Sequence, residues 1–179
     1  KVLEQVKAAE IRQAANAEEA LQLAAARRTS LSAVARVSPT TILEDATVPR
    51  SRLAETFAEI ERLKKKYGIR VATYGHAGDG NLHPTAVTDE RDPLELEKVH
   101  AFFSELYEKV LSLGGTVSGE HGIGIAKKGY LLRQFGQGGM EVMRRIKKGF
   151  DPDGRLNPGK IFLEEGVSTG RKIPGGAHV

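Results

Sequence analysis

The chain has no cysteine and no tryptophan. Without cysteine there can be no disulfide, no thiolate nucleophile and no Cys-ligated zinc or iron–sulfur site, and nothing reports the redox compartment. Aromatic residues amount to only 6%, which leaves few platforms for base stacking and counts against nucleic-acid binding. No apolar run approaches the roughly 20 residues of a membrane span, and no signal-peptide pattern is read at the start. Cytoplasm is the default expectation, with a peripheral position at the inner face of the membrane as its variant. Phosphate motifs are missing too. The segment GRLNPGKI (154–161) has P-loop spacing, but Ile161 stands where Ser or Thr would bind magnesium, and Pro158 lacks the amide that a phosphate cradle needs. No complete GxGxxG occurs, so a Rossmann dinucleotide site is not supported.

What is present is 179 residues, 40% hydrophobic and 28% charged, which is enough to bury a core. The net charge of +4 is not spread evenly: residues 123–179 carry 11 basic and 5 acidic groups, an excess of +6. An anionic ligand or an acidic partner surface fits that excess.

Val2, Val6 and Ala9 already follow helical spacing, as though the chain starts inside a helix of a longer protein. Asn16-Ala-Glu-Glu19 predicts a capped helix running to about Arg36, stopped by Ser38-Pro39. TILEDATV (41–48) reads as a strand. A helix over 51–67 follows, with Leu53, Phe57, Ile60 and Tyr67 on one stripe and Gly68 at its end. RVATYG (70–75) and LHPTAV (82–87) read as strands joined by a Gly/Asp turn. Asp92-Pro93 opens a helix over 93–113 that should bury Leu96, Val99, Phe103, Leu106, Val110 and Leu113. TVS (116–118) is a short strand, and two helices are expected around 126–135 and 139–149. The order from 41 to 118 is β-α-β-β-α-β. The fold class is therefore α+β, with a ferredoxin-like antiparallel sheet, helices on one face, and additional N- and C-terminal helices. Residues 1–163 are expected to form one part and 164–179 a polar, Gly-rich tail.

Three of the five histidines lie in glycine-rich stretches, GHAGDGNLHP (75–84) and SGEHGIG (118–124). A hairpin loop of two or four residues pairs His76 with Asn81 and puts His83 on the same face. Diagonal neighbours of that kind are roughly 7–8 Å apart, near enough for two imidazoles to share one ion. A loop of odd length separates them, and an Asp-Gly hairpin with two incidental histidines is the plain alternative. Glu120 and His121 would point to opposite faces of a regular strand, but the glycines at 119, 122 and 124 permit a bend that aims both into one cleft. Two histidines and a glutamate form a recurring catalytic zinc set with a position left open, although Mn or Fe would suit the same donors. His121 is then left as an acid/base group beside the ion. Arg27 shares a helical face with Leu23, Leu31 and Val34, so it either meets an anion such as a carboxylate or snorkels to solvent; Arg28 is nearly as well placed.

GHAGDGNLHP, GGTVSGEHGIG and FDPDGRLNPGKIF, with AARRTSLSAVARVSP and EDATVPRSRL upstream, resemble the C-terminal half of FAD-linked oxidases of the vanillyl-alcohol-oxidase type. Within that group the glycolate oxidase FAD subunit and the D-lactate dehydrogenases are the relatives indicated. The resemblance implies oxidation of a small D-2-hydroxy acid to the 2-keto acid with FAD as acceptor. It assigns His76, His83 and Glu120 as metal ligands, His121 as the base, Arg27 as the anchor of the substrate carboxylate, and Asn157 as a residue near the flavin. It implies as partners an FAD domain outside this chain and other oxidase subunits, with an oligomer open. The chain alone is then expected neither to hold FAD tightly nor to oxidise anything. Relatives that act on D-2-hydroxyglutarate carry polar groups where Leu31, Leu43 and Thr85 stand here, which implies a monocarboxylate substrate. Two rival functions remain at this point, a non-flavin metal-dependent hydrolase and a non-catalytic assembly module.

Overall fold

The computed structural model describes residues 2–7 and 9–162, without the side chains of residues 2, 3, 26 and 27. The expected tail, 164–179, lies outside the described residues. The chain divides into two compact units, Lys1–Val37 and Ser38–Val179.

The first unit holds α1 (Val2–Gln5), α2 (Ala17–Arg28) and α3 (Ser30–Val34). The capping pattern at Asn16 is present: Glu19 donates its backbone N–H to the Asn16 side chain at 2.9 Å, and the Glu19 carboxylate accepts from the Ala15 N–H at 2.7 Å. The helix predicted to reach Arg36 is interrupted at Thr29, where ψ rises to 1°. Leu31 and Val34 therefore sit on a short helix separate from the one that carries Arg27, whose side chain lies outside the described residues.

The second unit is α+β. Its strands are β1 (Thr40–Leu43), β2 (Ala46–Thr47), β3 (Arg70–His76) and β4 (Asn81–Thr88). All pairing is antiparallel. β3 runs along one edge of β4, while β1 and β2 take turns on the other, so they are one strand broken at Glu44–Asp45. The strand expected over 116–118 is reduced to a single bridge between Thr47 and Thr116.

Alternation along β4 explains which side is filled. Leu82 and Ala86 face the helices with Val71, Ile42, Ala46 and Val48, and His83 and Thr85 face the opposite way. The helices are α4 (Leu53–Tyr67), preceded by a 3₁₀ turn over Arg50–Arg52, and α5 (Pro93–Ser112). Asp92 caps α5 by accepting from the Leu94 and Glu95 amides at 2.9 and 3.2 Å. Ile60 and Leu63 of α4 pack with Val99, Phe102, Phe103, Leu106 and Val110 of α5 over the sheet. Phe57, expected on the buried stripe, is instead 40% exposed; Thr56 and Leu63 take the inner positions. The two expected C-terminal helices form α6 (Lys128–Phe150), divided by a kink at Gly136. There φ is 64° with ψ at 178°, a conformation that side-chain-bearing residues avoid.

This packing separates two phenylalanines sharply. Phe102→Ala should lose about 3–5 kcal/mol of stability in urea unfolding, because Phe102 is fully buried between sheet and helices. Phe57→Ala should stay within about 0.5 kcal/mol. Equal losses from both would contradict the placement of α4.

Candidate metal and acid–base site

β3 and β4 are joined by four residues, Ala77 to Gly80, an even loop. His76 is accordingly paired with Asn81, and Tyr74 with His83. Both histidines reach the face away from the helices, with ring centroids 5.2 Å apart. The 118–121 segment crosses that face. Glu120 Oε1 lies 2.9 Å from His83 Nε2 and 3.3 Å from His76 Nε2. One ligand atom from each of the three residues falls within 4.8 Å of the others, the only such cluster among the described residues. The convergence rests on tertiary contact, since Glu120 is about forty residues from the hairpin.

Asn81 ties the group together. Its Nδ2 donates to Glu120 Oε1 at 3.3 Å, and its Oδ1 accepts from the Thr47 hydroxyl at 2.9 Å. Gly119 passes so close that an added Cβ would stand 2.7 Å from the Asn81 amide and 2.3 Å from Thr47 Oγ1. Glycine is needed here for approach, not for conformation.

His121 stacks on His83 with centroids 4.9 Å apart and planes 17° from parallel. It also lines a cavity of about 400 Å³ with Leu43, Glu44, Ile123, Ile125, Lys127 and Lys160. It thus adjoins both the cluster of His76, His83 and Glu120 and the open space. Burial pushes the His83 imidazole below its ordinary pKa, and neighbouring His121 adds to this against the opposing pull of Glu120. His83 is therefore neutral near pH 7, the form that ligates a cation.

Two carboxylates of the predicted strand over 41–48, Glu44 and Asp45, prove central. Asp45 is fully buried. Its Oδ2 accepts the backbone N–H groups of Gly119, Glu120 and His121 at 2.8, 2.7 and 2.9 Å, and its other oxygen meets the Lys127 ammonium. Lys127 also reaches Glu44 at 3.1 Å, and Glu44 accepts from the Tyr107 hydroxyl at 2.8 Å. Burial and the Glu44 carboxylate push the Tyr107 phenol well up, keeping it a donor. The available signal was an acidic pair inside an otherwise apolar strand, TILEDATV. Two carboxylates there are tolerable only if cations and amides meet them.

The other expected site residues fare differently. Arg27 is the penultimate residue of α2, and its side chain lies outside the described residues. Asn157 adopts φ 47°, a left-handed turn conformation that asparagine tolerates, and its Oδ1 is 3.3 Å from Lys160 Nζ. Asn157 does not line the cavity; Lys160 does. The segment joins the site through the Ile161 N–H, which donates to the Gly124 carbonyl at 2.8 Å.

Comparison with known proteins now bears on this arrangement. The family described as FAD linked oxidases, C-terminal domain, matches residues 1–161. The chain belongs to that family. It is 49% identical over 158 residues to the glycolate oxidase subunit GlcD of Bacillus subtilis, covering 88% of this chain and 34% of that protein. The GlcD of Escherichia coli K12 is 38% identical over 153 residues, covering 86% of the chain and 31% of the relative. A D-lactate dehydrogenase of Anaerostipes hadrus is 41% identical over 118 residues, or 65% of the chain and 25% of that enzyme. The chain thus spans about a third of the length of the GlcD proteins and corresponds to the C-terminal part of FAD-dependent oxidoreductases. Among the described residues no helix is long and apolar enough to cross a membrane.

Asp45 carries a pH consequence. Burial alone would raise its pKa, but the Lys127 ammonium and the amides of Glu120 and His121 outweigh burial and bring it from 3.8 down to about 2. Ionised Asp45 therefore adds about 2 kcal/mol of stability above pH 4, lost as the pH falls through 2. Urea unfolding of Asp45→Asn should show a flatter decline between pH 4 and 2 than the parent chain. Identical slopes would refute the assignment.

Proposed function

We propose that the enzyme containing this chain oxidises a small D-2-hydroxy acid, of the glycolate or D-lactate kind, to its 2-keto acid, with FAD as the electron acceptor and a divalent cation at the histidine pair. The observation that carries the reading is the convergence of His76, His83 and Glu120 beside His121 at the edge of a cavity. Membership of the FAD-linked oxidase family favours this flavin-linked chemistry over the hydrolase and assembly readings. We also read the sheet as a ferredoxin-like plan whose fourth strand is worn down to the bridge at Thr116.

The donor set fits a cation. Two imidazoles and one carboxylate already point at one another across a few ångströms, and zinc is the first expectation for such a set. His76 and His83 would supply imidazole nitrogens and Glu120 a carboxylate oxygen. When bound, the cation acts as a Lewis acid that lowers the pKa of a coordinated hydroxyl. His121 would take the hydroxyl proton, held in place by its stacking on His83 and by the bond its backbone N–H donates to Asp45 at 2.9 Å. Arg27 binds the substrate carboxylate in a charge-assisted pair. FAD supplies the hydride acceptor, held mainly by a domain outside this chain, with Asn157 near it. Partners are that FAD domain and other oxidase subunits, in the cytoplasm or at the inner face of a membrane.

Specificity follows from the side chains in and behind the cavity wall. Leu43 contributes no charge. Thr85 is fully buried, with its hydroxyl within hydrogen-bond distance of the Tyr74 hydroxyl and the His83 carbonyl. Lys127 is already taken by Glu44 and Asp45. A second carboxylate finds no cation there that is not already committed or exposed to solvent, and burying it would cost several kcal/mol.

Two measurements test this. In the whole enzyme, His83→Ala should lose metal and activity together, while His121→Ala should lose activity and keep the ion in elemental analysis. Equal metal loss from both variants would remove the division of roles. Steady-state kinetics should give D-lactate a higher kcat/KM than D-2-hydroxyglutarate; the reverse order sinks the monocarboxylate assignment.

A further inference from the structure

We propose that Asp45 is a positioning residue that sets the geometry of the cation site, by clamping the backbone from which Glu120 and His121 project. The inference rests on the reading of His76, His83 and Glu120 as a cation site, and it adds a residue that does not touch the cation or the substrate.

Three successive backbone amides, those of Gly119, Glu120 and His121, converge on one oxygen of the Asp45 carboxylate, all within 2.9 Å. The Ser118 hydroxyl lies 3.4 Å from the same oxygen and itself accepts the Gly122 N–H at 2.8 Å, extending the hold by one residue on each side. Successive amides arranged this way form a concave anion site, and here a side chain of the protein fills it. In β geometry Glu120 and His121 would diverge. Curling three amides around a single oxygen bends the backbone, and that bend lets Glu120 reach both imidazoles while His121 stacks on His83.

Asp45 can serve as the post because it is itself immobile. It sits at the break between β1 and β2, fully buried, with Lys127 on its second oxygen, and Lys127 is held in turn by Glu44. The flanking strand residues are paired to β4, the same strand that carries His83. One strand therefore fixes the histidine and, through its neighbour, the glutamate. Ligand positions held to a fraction of an ångström are what a cation site requires, and outer partners of metal ligands typically carry 10–100-fold in affinity.

The test uses the full 179-residue chain. Zinc is titrated calorimetrically, and amide exchange at residues 119–121 is followed by NMR without metal, in the parent, Asp45→Ala, Asp45→Asn and Leu63→Ala. Asp45→Ala should bind zinc at least 10-fold more weakly and exchange these amides at least 10-fold faster. Asp45→Asn keeps the shape but sets an amide against Lys127; it should change both readouts in the same direction, and serves if Asp45→Ala does not fold. Leu63→Ala lowers stability from the far side of the sheet and should leave zinc affinity within twofold. Unchanged affinity and exchange in a folded Asp45 variant would overturn the clamp, as would equal weakening by Leu63→Ala. A parent chain that takes no zinc defeats the cation reading, and the clamp is then decided by amide exchange alone.

Discussion

A buried carboxylate has to be answered, and the answer given to Asp45 organises one side of this domain. Strand, loop and helix meet at it: β1 and β2 through the chain itself, the 118–122 loop through its amides, and the start of α6 through Lys127. Each of the three partners leaves a polar group unsatisfied if the others are removed. A buried pair such as Asp45 and Lys127 does little for stability against an apolar replacement. Its effect is directional, because hydrogen bonds specify orientation where apolar contacts do not.

The sheet divides labour between its faces. Toward α4 and α5 the strands present Ile42, Ala46, Val71, Leu82 and Ala86, which form the apolar core with both helices. On the other face the same strands present Tyr74, His76, His83 and Thr85, and both histidine rings lie within aromatic contact distance of one another. β4 is buried along its whole length, so the histidine on it is held more rigidly than one on an exposed edge would be. Functional groups mounted on a paired, buried strand keep their geometry better than groups on a loop. The one member of the cluster that comes from a loop, Glu120, is supported by Asp45, Asn81 and the close passage of Gly119.

Among charged residues of the second unit, many pairs lie at the surface, such as Arg62 with Glu59 on α4, and contribute little. The Glu44–Asp45–Lys127–Tyr107 group differs in being enclosed. Tyr107 and Lys127 belong to α5 and the lead-in to α6, so this polar group also joins the helical layer to the strand it covers. The cavity lined by His121 opens beside it, with Glu44 and Lys127 in its wall.

Much of this was legible in the residues alone. The capping of α2 and α5 and the boundaries of α4 and α5 follow from local sequence patterns, whereas the hairpin register, and with it the face shared by His76 and His83, was decided by the four-residue loop of the folded chain. Phe57 lies outside the buried face because the inner positions of α4 are Thr56, Ile60 and Leu63, and docking against α5, not the spacing of apolar residues, selects them. The reduction of 116–118 to one bridge was likewise invisible, since it is set by what packs nearby. The chemistry of the site divides the same way. Sequence order places two histidines on one strand pair, because pleating alternates side chains without reference to anything distant. Bringing Glu120 to them, and giving Asp45 three amides to hold, depended on the chain folding back across 39 residues from Asn81 and 75 from Asp45. Contacts of that separation leave no periodic trace, so only the tertiary structure decided them.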